Sequence, residues 1–335
     1  MTDAIILWSA TMNVMGKGLL GLAAVVAFAG GGYAQDFPVT IEHVYGETVI
    51  EAQPERVATW AWGNTDAVLA LGVKPIAMPF ISYGGGDNGI HPWAEDALEA
   101  MGGDAPLILA EGDEPPYEQI LAADPDVIIA AYSGITQEQY ERLSQIAPTI
   151  AYKGAAWSGT WQDVTRTVGQ VLGLADEADA LVAETEQLVA DTVAQYPGLE
   201  GTSFIAVNDY DGSLAVYAGL DSRVKFLTDL GLVYAPSLDA LSGDDESFYF
   251  SVSYENADQL VSDILVSYYE NQEDSDAFFS APHIARLPQT QTGAYATIVD
   301  VEEVAAVSPP SALSLRWGIE DYVALLAAAA ENAQP

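Results

Sequence analysis

Residues 54–79, PERVATWAWGNTDAVLALGVKPIAMP, decide how this chain folds. A short β-rich run, Arg56 to Thr59, ends in Trp60 and Trp62; a helical pattern follows, and prolines close it at the next strand. The same grammar returns from Pro125 in PDVIIAAYSGITQEQYERLSQIAPTIAY, where the run Val127 to Ala130 ends at Tyr132. Ligands of open α/β sheets sit outside the carboxyl ends of the strands, so aromatic residues at those ends are candidate binding groups.

Working outward, Val39 to Ile50 alternates polar and apolar residues around Gly46, a hairpin signature. Further strands are expected at Pro75 to Met78 and Leu107 to Leu109, with SYGGGDNG between them as a flexible loop. Strands alternating with helical patterns predict a parallel, right-handed α/β sheet. From Trp161 to Gln195 apolar residues recur near the 3.6 period, with Leu172-Gly173-Leu174 as a possible break. The α/β grammar then restarts, with strands at Ser203 to Asn208, Ile264 to Ser267 and Tyr295 to Val299. Helices are expected at Val224 to Leu230 and from about Ile319 to Ala330. The expected fold is therefore two Rossmann-like α/β lobes joined by a single long α-helix, with a ligand cleft between them. The predicted divisions are a leader over 1–34, an N-terminal lobe over 35–156, a linking helix over 157–197 and a C-terminal lobe over 198–335. A stiff connector limits lobe opening.

The composition excludes several classes. The chain has 335 residues, 50% of them hydrophobic, enough for a large core and about two domains. Its 49 acidic residues against 10 Lys plus Arg give a formal net charge of -39, a field that repels nucleic acid and anionic membranes. There is no cysteine, which excludes disulfides, thiolate metal sites, a Cys nucleophile and a lipid-anchored Cys. Leu19 to Ala29 is an apolar run of 11 after Lys17, too short to span a bilayer but suited to a signal-peptide core, with cleavage expected near Ala34. Asp3 and an apolar IILW run make residues 1–14 unusual for such a leader, and Met12 or Met15 is an alternative start. The expected location is periplasmic, without stable membrane insertion.

Three stretches carry a family resemblance: PERVATWAWGNTDAVLALGVKP, YEQILAADPDVIIA followed by YERLSQIAPTI, and SRVKFLTDLGL in the second lobe. They resemble the periplasmic substrate-binding proteins of iron-siderophore and vitamin B12 ABC transporters, the helix-linked class III family, over nearly the whole chain from Val39. The resemblance implies capture of a ferric siderophore by a monomer, delivery to an ABC transporter permease driven by its ATPase, and no catalytic step or cofactor. Cobalamin or haem capture on the same fold is the nearer alternative. An exported α/β hydrolase or lyase is the distant one, lacking a recognisable nucleophile or base.

Several residues are candidate ligand contacts. Trp60, Trp62, Tyr83 and Tyr132 stand in loops after first-lobe strands, where each could stack on a chelate or else complete the core. By resemblance, Arg223 is the guanidinium that meets anionic ligand oxygens; the alternative is a helix-start Arg paired with Asp221 or Asp229. Also by resemblance, FYF at 248–250 and Tyr268-Tyr269 face the cleft; a strand cannot point all of them one way, and Tyr249 and Tyr269 are the residues chosen. Trp157 and Arg316 are weaker candidates, as is Trp317. Glu118 matches a surface Glu that docks into permease arginines, with plain helix-surface charge as the alternative. The loop AEGDEPP at 110–116 is acidic where some relatives carry a binding Arg, which favours a neutral or cationic hydroxamate chelate over a tri-anion. No direct metal site is expected: His43, His91 and His283 are scattered, and the acid pairs lack calcium-loop spacing.

Overall fold

Short, mostly apolar runs of two or three residues form the centre of the first lobe, buried throughout except at the edge strand that carries Leu107. In the computed structural model, which describes residues 37–242 and 247–333, these are β3 (Val57–Thr59), β4 (Ala77–Pro79), β5 (Leu107–Leu109), β6 (Val127–Ile129) and β7 (Thr149–Ile150). A hairpin precedes them, β1 (Val39–His43) with β2 (Gly46–Ile50), antiparallel as the alternation requires. The sheet runs β5-β4-β3-β6-β7, all parallel. Between the strands lie α1 (Asn64–Ala70), α2 (Pro92–Met101), α3 (Tyr117–Ala123) and α4 (Gln137–Leu143). Strand order reverses between β3 and β6, so the loops after those two strands flank the switch point where such sheets bind ligands. The leader read over 1–34 lies outside the described residues.

The connector divides where the sequence marked a break. Helix α5 (Trp161–Leu172) ends at Gly173, whose φ of 71° only glycine adopts freely, and α6 (Ala175–Val193) turns back along it. Gly169 is what lets the two approach: a Cβ there would stand 2.3 Å from that of Ala178. An Arg166–Asp179 pair at 2.9 Å closes the same face. By packing, α5 belongs to the first lobe, burying Val164, Val168 and Val171 in its core. Helix α6 is the single helix that passes onward, placing Leu181, Val182 and Val189 in the core of the second lobe. The span 157–197 therefore holds a first-lobe helix and one crossing helix. The 3.6 period continues through Gly173 because both helices bury one face, which is why it reads as one element.

The second lobe comprises β8 (Ser203–Tyr210), β9 (Ser213–Tyr217), α7 (Ser222–Asp229), β10 (Val233–Tyr234), β11 (Tyr249–Val252) and β12 (Ile264–Tyr269). Next come α8 (Gln272–Ser280), α9 (Pro288–Thr292), β13 (Tyr295–Val299), α10 (Val301–Ala306) and α11 (Ala312–Ala333). Its sheet runs β11-β9-β8-β12-β13, with β10 beside the start of β8. Strands β8, β10, β12 and β13 are parallel, whereas β9 runs antiparallel to both of its neighbours, β8 and β11. The antiparallel arm was not expected, yet its signal is present: Asp211 and Gly212 both take positive φ, 48° and 75°, in the Asp-Gly turn joining β8 to β9.

A second seam joins the lobes besides α6. Leu69, Trp93 and Ala94 of the first lobe share one apolar cluster with Ala305 and Ala306 of the second. In its midst the buried Asp66 carboxylate accepts from Trp93 Nε1 and from Ser311 Oγ, each at 2.7 Å, tying α1 to the start of α11. In the glycine loop, Gly84 and Gly85 are packed rather than loose, whereas Gly86 is exposed. A Cβ on Gly84 would meet Ala305 Cβ at 2.8 Å and the Val301 carbonyl at 3.0 Å, and one on Gly85 would meet the Ile81 carbonyl at 2.1 Å. Close approach of α10 explains the first glycine, and the tight turn explains the second.

Candidate ligand-binding site

The carboxyl ends of β3, β4, β5 and β6 open into one cavity of about 250 Å³. Its lining includes Trp60 and Trp62, Phe80, Glu111 and Asp113, Ser133 and Gly134, Gln139 and Trp157. All of these belong to the first lobe. Trp60 is 8% exposed and half of its role is core, since it packs with Ile128 and Leu143. Trp62 is half-buried and stacks on Tyr83, with centroids 6.2 Å apart and planes 17° apart. Tyr132 meets Trp157 edge to face at 5.7 Å.

Two devices present these rings. Ala61, between the indoles, sits at φ 66°, and Trp157 itself sits at φ 61°, conformations that cost of order 1–3 kcal/mol for non-glycine residues and that concentrate at functional sites. Asn64, fully buried at the start of α1, then ties the loops together. Its Nδ2 donates to the carbonyls of Trp60 (2.7 Å), Trp62 (3.1 Å) and Tyr132 (2.9 Å), while its Oδ1 accepts from Tyr132 N (3.0 Å). Sequence reasoning passed over Asn64; its signal was a lone amide immediately after an aromatic turn. Gly134 completes the floor, because a Cβ there would lie 2.2 Å from Trp157 Nε1.

Across the seam, Arg223 is anchored before it can reach a ligand. Its Nε donates to Asp221 Oδ1 at 2.8 Å and its Nη2 to Oδ2 at 2.7 Å, a bidentate pair. The guanidinium lies 3.9 Å from the ring centroid of Tyr217 and 5.3 Å from that of Tyr268. Burial alone would lower its pKa, but the Asp221 hydrogen bonds and charge raise it above the ordinary value, so the side chain stays cationic. Two first-lobe phenols lie within electrostatic reach of this group. Burial pushes the Tyr132 phenol up to about 12, offset in part by a hydrogen bond with Ser222. Tyr83 is likewise pushed up to about 12, first by burial, then by Glu270, with Arg223 opposing. Lys225 Nζ donates to the Ser158 carbonyl at 2.6 Å, another link between lobes.

The remaining second-lobe candidates divide. Tyr249 is exposed and lies opposite Tyr217 in register, hence on the face that carries Arg223, while Phe250 packs into the core on the other. Tyr269 does not join this group: its hydroxyl donates to Asp209 Oδ1 at 2.9 Å and its ring packs on Phe278. Alternation along β12 turns Tyr268 instead toward Arg223, where its hydroxyl also meets that of Tyr322 at 2.9 Å. Arg316 is also elsewhere, because α11 aims it at Glu184 of the crossing helix, 3.1 Å away, and its neighbour Trp317 rests on Trp93. Glu118 stands exposed in the first turn of α3, apart from the cavity.

Two α/β lobes that aim aromatic loops at a common seam define a bilobal ligand-binding protein. The family model described as "Periplasmic binding protein" matches residues 57–298, and this chain belongs to that family. Among solved structures, the iron uptake ABC transporter substrate-binding protein PiaA of Streptococcus pneumoniae TIGR4, in complex with ferrichrome, is similar with a TM-score of 0.79 and 33% identity. That match covers 88% of this chain and 100% of PiaA. A periplasmic solute binding protein from Mycobacterium smegmatis is similar with a TM-score of 0.73 and 27% identity, over 88% and 99% of the two chains. The probable siderophore-binding lipoprotein YfiY of Bacillus subtilis is 30% identical over 154 residues, 45% of this chain and 44% of YfiY. The chain spans about half the length of the curated relatives it matches.

Proposed function

We propose that this protein captures a ferric siderophore outside the cytoplasm and hands it to an ABC importer for iron uptake. The observation that carries the reading is the cavity at the sheet's switch point, walled by Trp60, Trp62 and Trp157 and braced by Asn64. Indoles held by strained turns give large rigid contact area at little ordering cost, which suits the organic shell of a chelate. The likeness to PiaA, solved with ferrichrome, supports the same ligand class. In this reading Trp60, Trp62, Tyr83, Tyr132 and Trp157 form one wall, and Arg223 with Tyr249 stands on the other.

The charge of the site favours a neutral or cationic hydroxamate chelate. Glu111 and Asp113 line the cavity, and among the described residues five arginines, 56, 142, 166, 223 and 316, are each paired with a carboxylate. The chain acts as a monomer after removal of a leader near Ala34, and Glu118 is offered to the permease. A Glu118→Arg variant tests that last role: it should bind the chelate normally and fail to support uptake. The function itself is tested by following tryptophan emission during titration with ferrichrome. Saturable quenching at sub-micromolar concentration is expected; silence toward hydroxamate, catecholate and citrate chelates of iron(III) alike overturns the reading.

A further inference from the structure

An arginine in a binding cleft attracts anions only through a charge that its neighbours leave uncompensated. At Arg223 the edge best shaped to clamp two oxygens, Nε with Nη2, is occupied by both oxygens of Asp221. The pair is sheltered, with side chains 19% and 7% exposed, so water screens it little and a ligand would have to displace a buried carboxylate to take its place. Sequence and backbone make the arrangement permanent. Asp221 is the N-cap of α7, its Oδ1 also accepting from Arg223 N at 2.9 Å, which holds the carboxylate two residues from the guanidinium it neutralises. Tyr217 and Tyr268 cover the guanidinium face and fix its plane.

We propose that Asp221 sets the charge selectivity of the cleft: by neutralising Arg223 it makes the site accept neutral and cationic ferric chelates and exclude anionic ones. This rests on the siderophore-binding reading above and goes beyond it by assigning the discrimination to one residue that acts through another. The first lobe adds to the effect without causing it, since Glu111 and Asp113 line its cavity. Asp221 is a positioning residue with a consequence for specificity: remove its charge but keep its cap, and Arg223 regains a full unit of positive charge beside the seam.

The test compares two iron(III) chelates, the neutral tris-hydroxamate ferrichrome and a tri-anionic hexadentate tris-catecholamide, by titrating tryptophan emission of the full-length protein at low and high salt. Wild type should bind the neutral chelate at least about 100-fold more tightly. Asp221→Asn retains a good N-cap, and it should move the affinity ratio at least about tenfold toward the tri-anion, a gain that salt erodes. Arg223→Gln leaves Asp221 without its cation and should move the ratio the opposite way. A merely structural pair would shift both ratios alike. Equal binding of the two chelates by wild type, or a ratio that neither variant moves in these directions, overturns the proposal. Failure of wild type to bind either chelate removes the siderophore reading itself, and this proposal with it. Should Asp221→Asn fold poorly by circular dichroism, the Arg223→Gln ratio decides alone.

Discussion

Each lobe braces a buried tyrosine with an asparagine, and the two tyrosines have different neighbours. Asn64 exchanges two hydrogen bonds with the backbone of Tyr132, and Asn208 does the same with Tyr268. In both cases asparagine and tyrosine lie just beyond the parallel-paired stretch of two neighbouring strands, β3 with β6 and β8 with β12. Both rings are buried, but the Tyr132 ring meets Trp157 of the cavity lining edge to face, whereas Tyr268 turns to Tyr322 and the guanidinium of Arg223. The same backbone device thus supports an open aromatic wall in the first lobe and a self-satisfied polar wall in the second. A common scaffold does not fix which side chains remain available to a ligand; the pairing partners around them do.

The largest expected effect breaks the first wall. Trp62→Ala should weaken chelate binding tenfold or more, about 1.4 kcal/mol or above, because an indole stacked on Tyr83 is lost. Trp60→Ala should do the same and also lower stability by roughly 3–5 kcal/mol, since this ring doubles as core, a difference that denaturant unfolding will show. Next is Gly134→Ala, where the added methyl must displace the Trp157 indole. Binding should weaken several-fold with a shift in tryptophan emission, and unchanged emission would mean that the indole does not rest there. Gly84→Ala acts on the seam: contact with Ala305 together with φ 76° should cost about 1–3 kcal/mol in thermal unfolding. Smallest are the controls. Tyr249→Ala on the second wall should alter affinity less than about threefold. Lys74→Ala, whose Nζ only ties the carbonyls of Gly102 and Asp104 far from the cavity, should alter it hardly at all. Effects at Tyr249 or Lys74 that rival Trp62 would erase the contrast between the walls.

Most of the parallel scaffold was legible in the residues. Runs such as VII at 127–129, followed by an aromatic and then a helical period, occur where a strand is buried on both faces and a loop must carry function. What the pattern could not decide were choices between two sides of one element. Tyr268 and Tyr269 necessarily face opposite ways, but only the position of α11 and its Tyr322 tells which side is which. Arg316 is a basic residue in the first turns of α11, and only the packing of α11 beside the crossing helix shows that it pairs with Glu184. The antiparallel arm β9–β11 hid behind a short Asp-Gly turn; the break at Gly173 was marked, but not that α5 stays with the first lobe, because both helices keep one phase. Local periodicity reports how an element is buried, not what lies across from it.

The apolar cluster between α1, α2 and α10 has a consequence for timing. Under the proposed function, lobes joined by the Trp93–Ala305 cluster and the Asp66–Ser311 hydrogen bond meet their ligand as a largely formed surface. Its arrival rate then follows from diffusion and orientation, and differences in affinity fall on how long it stays. Under the same reading, release to a receiver means parting that seam.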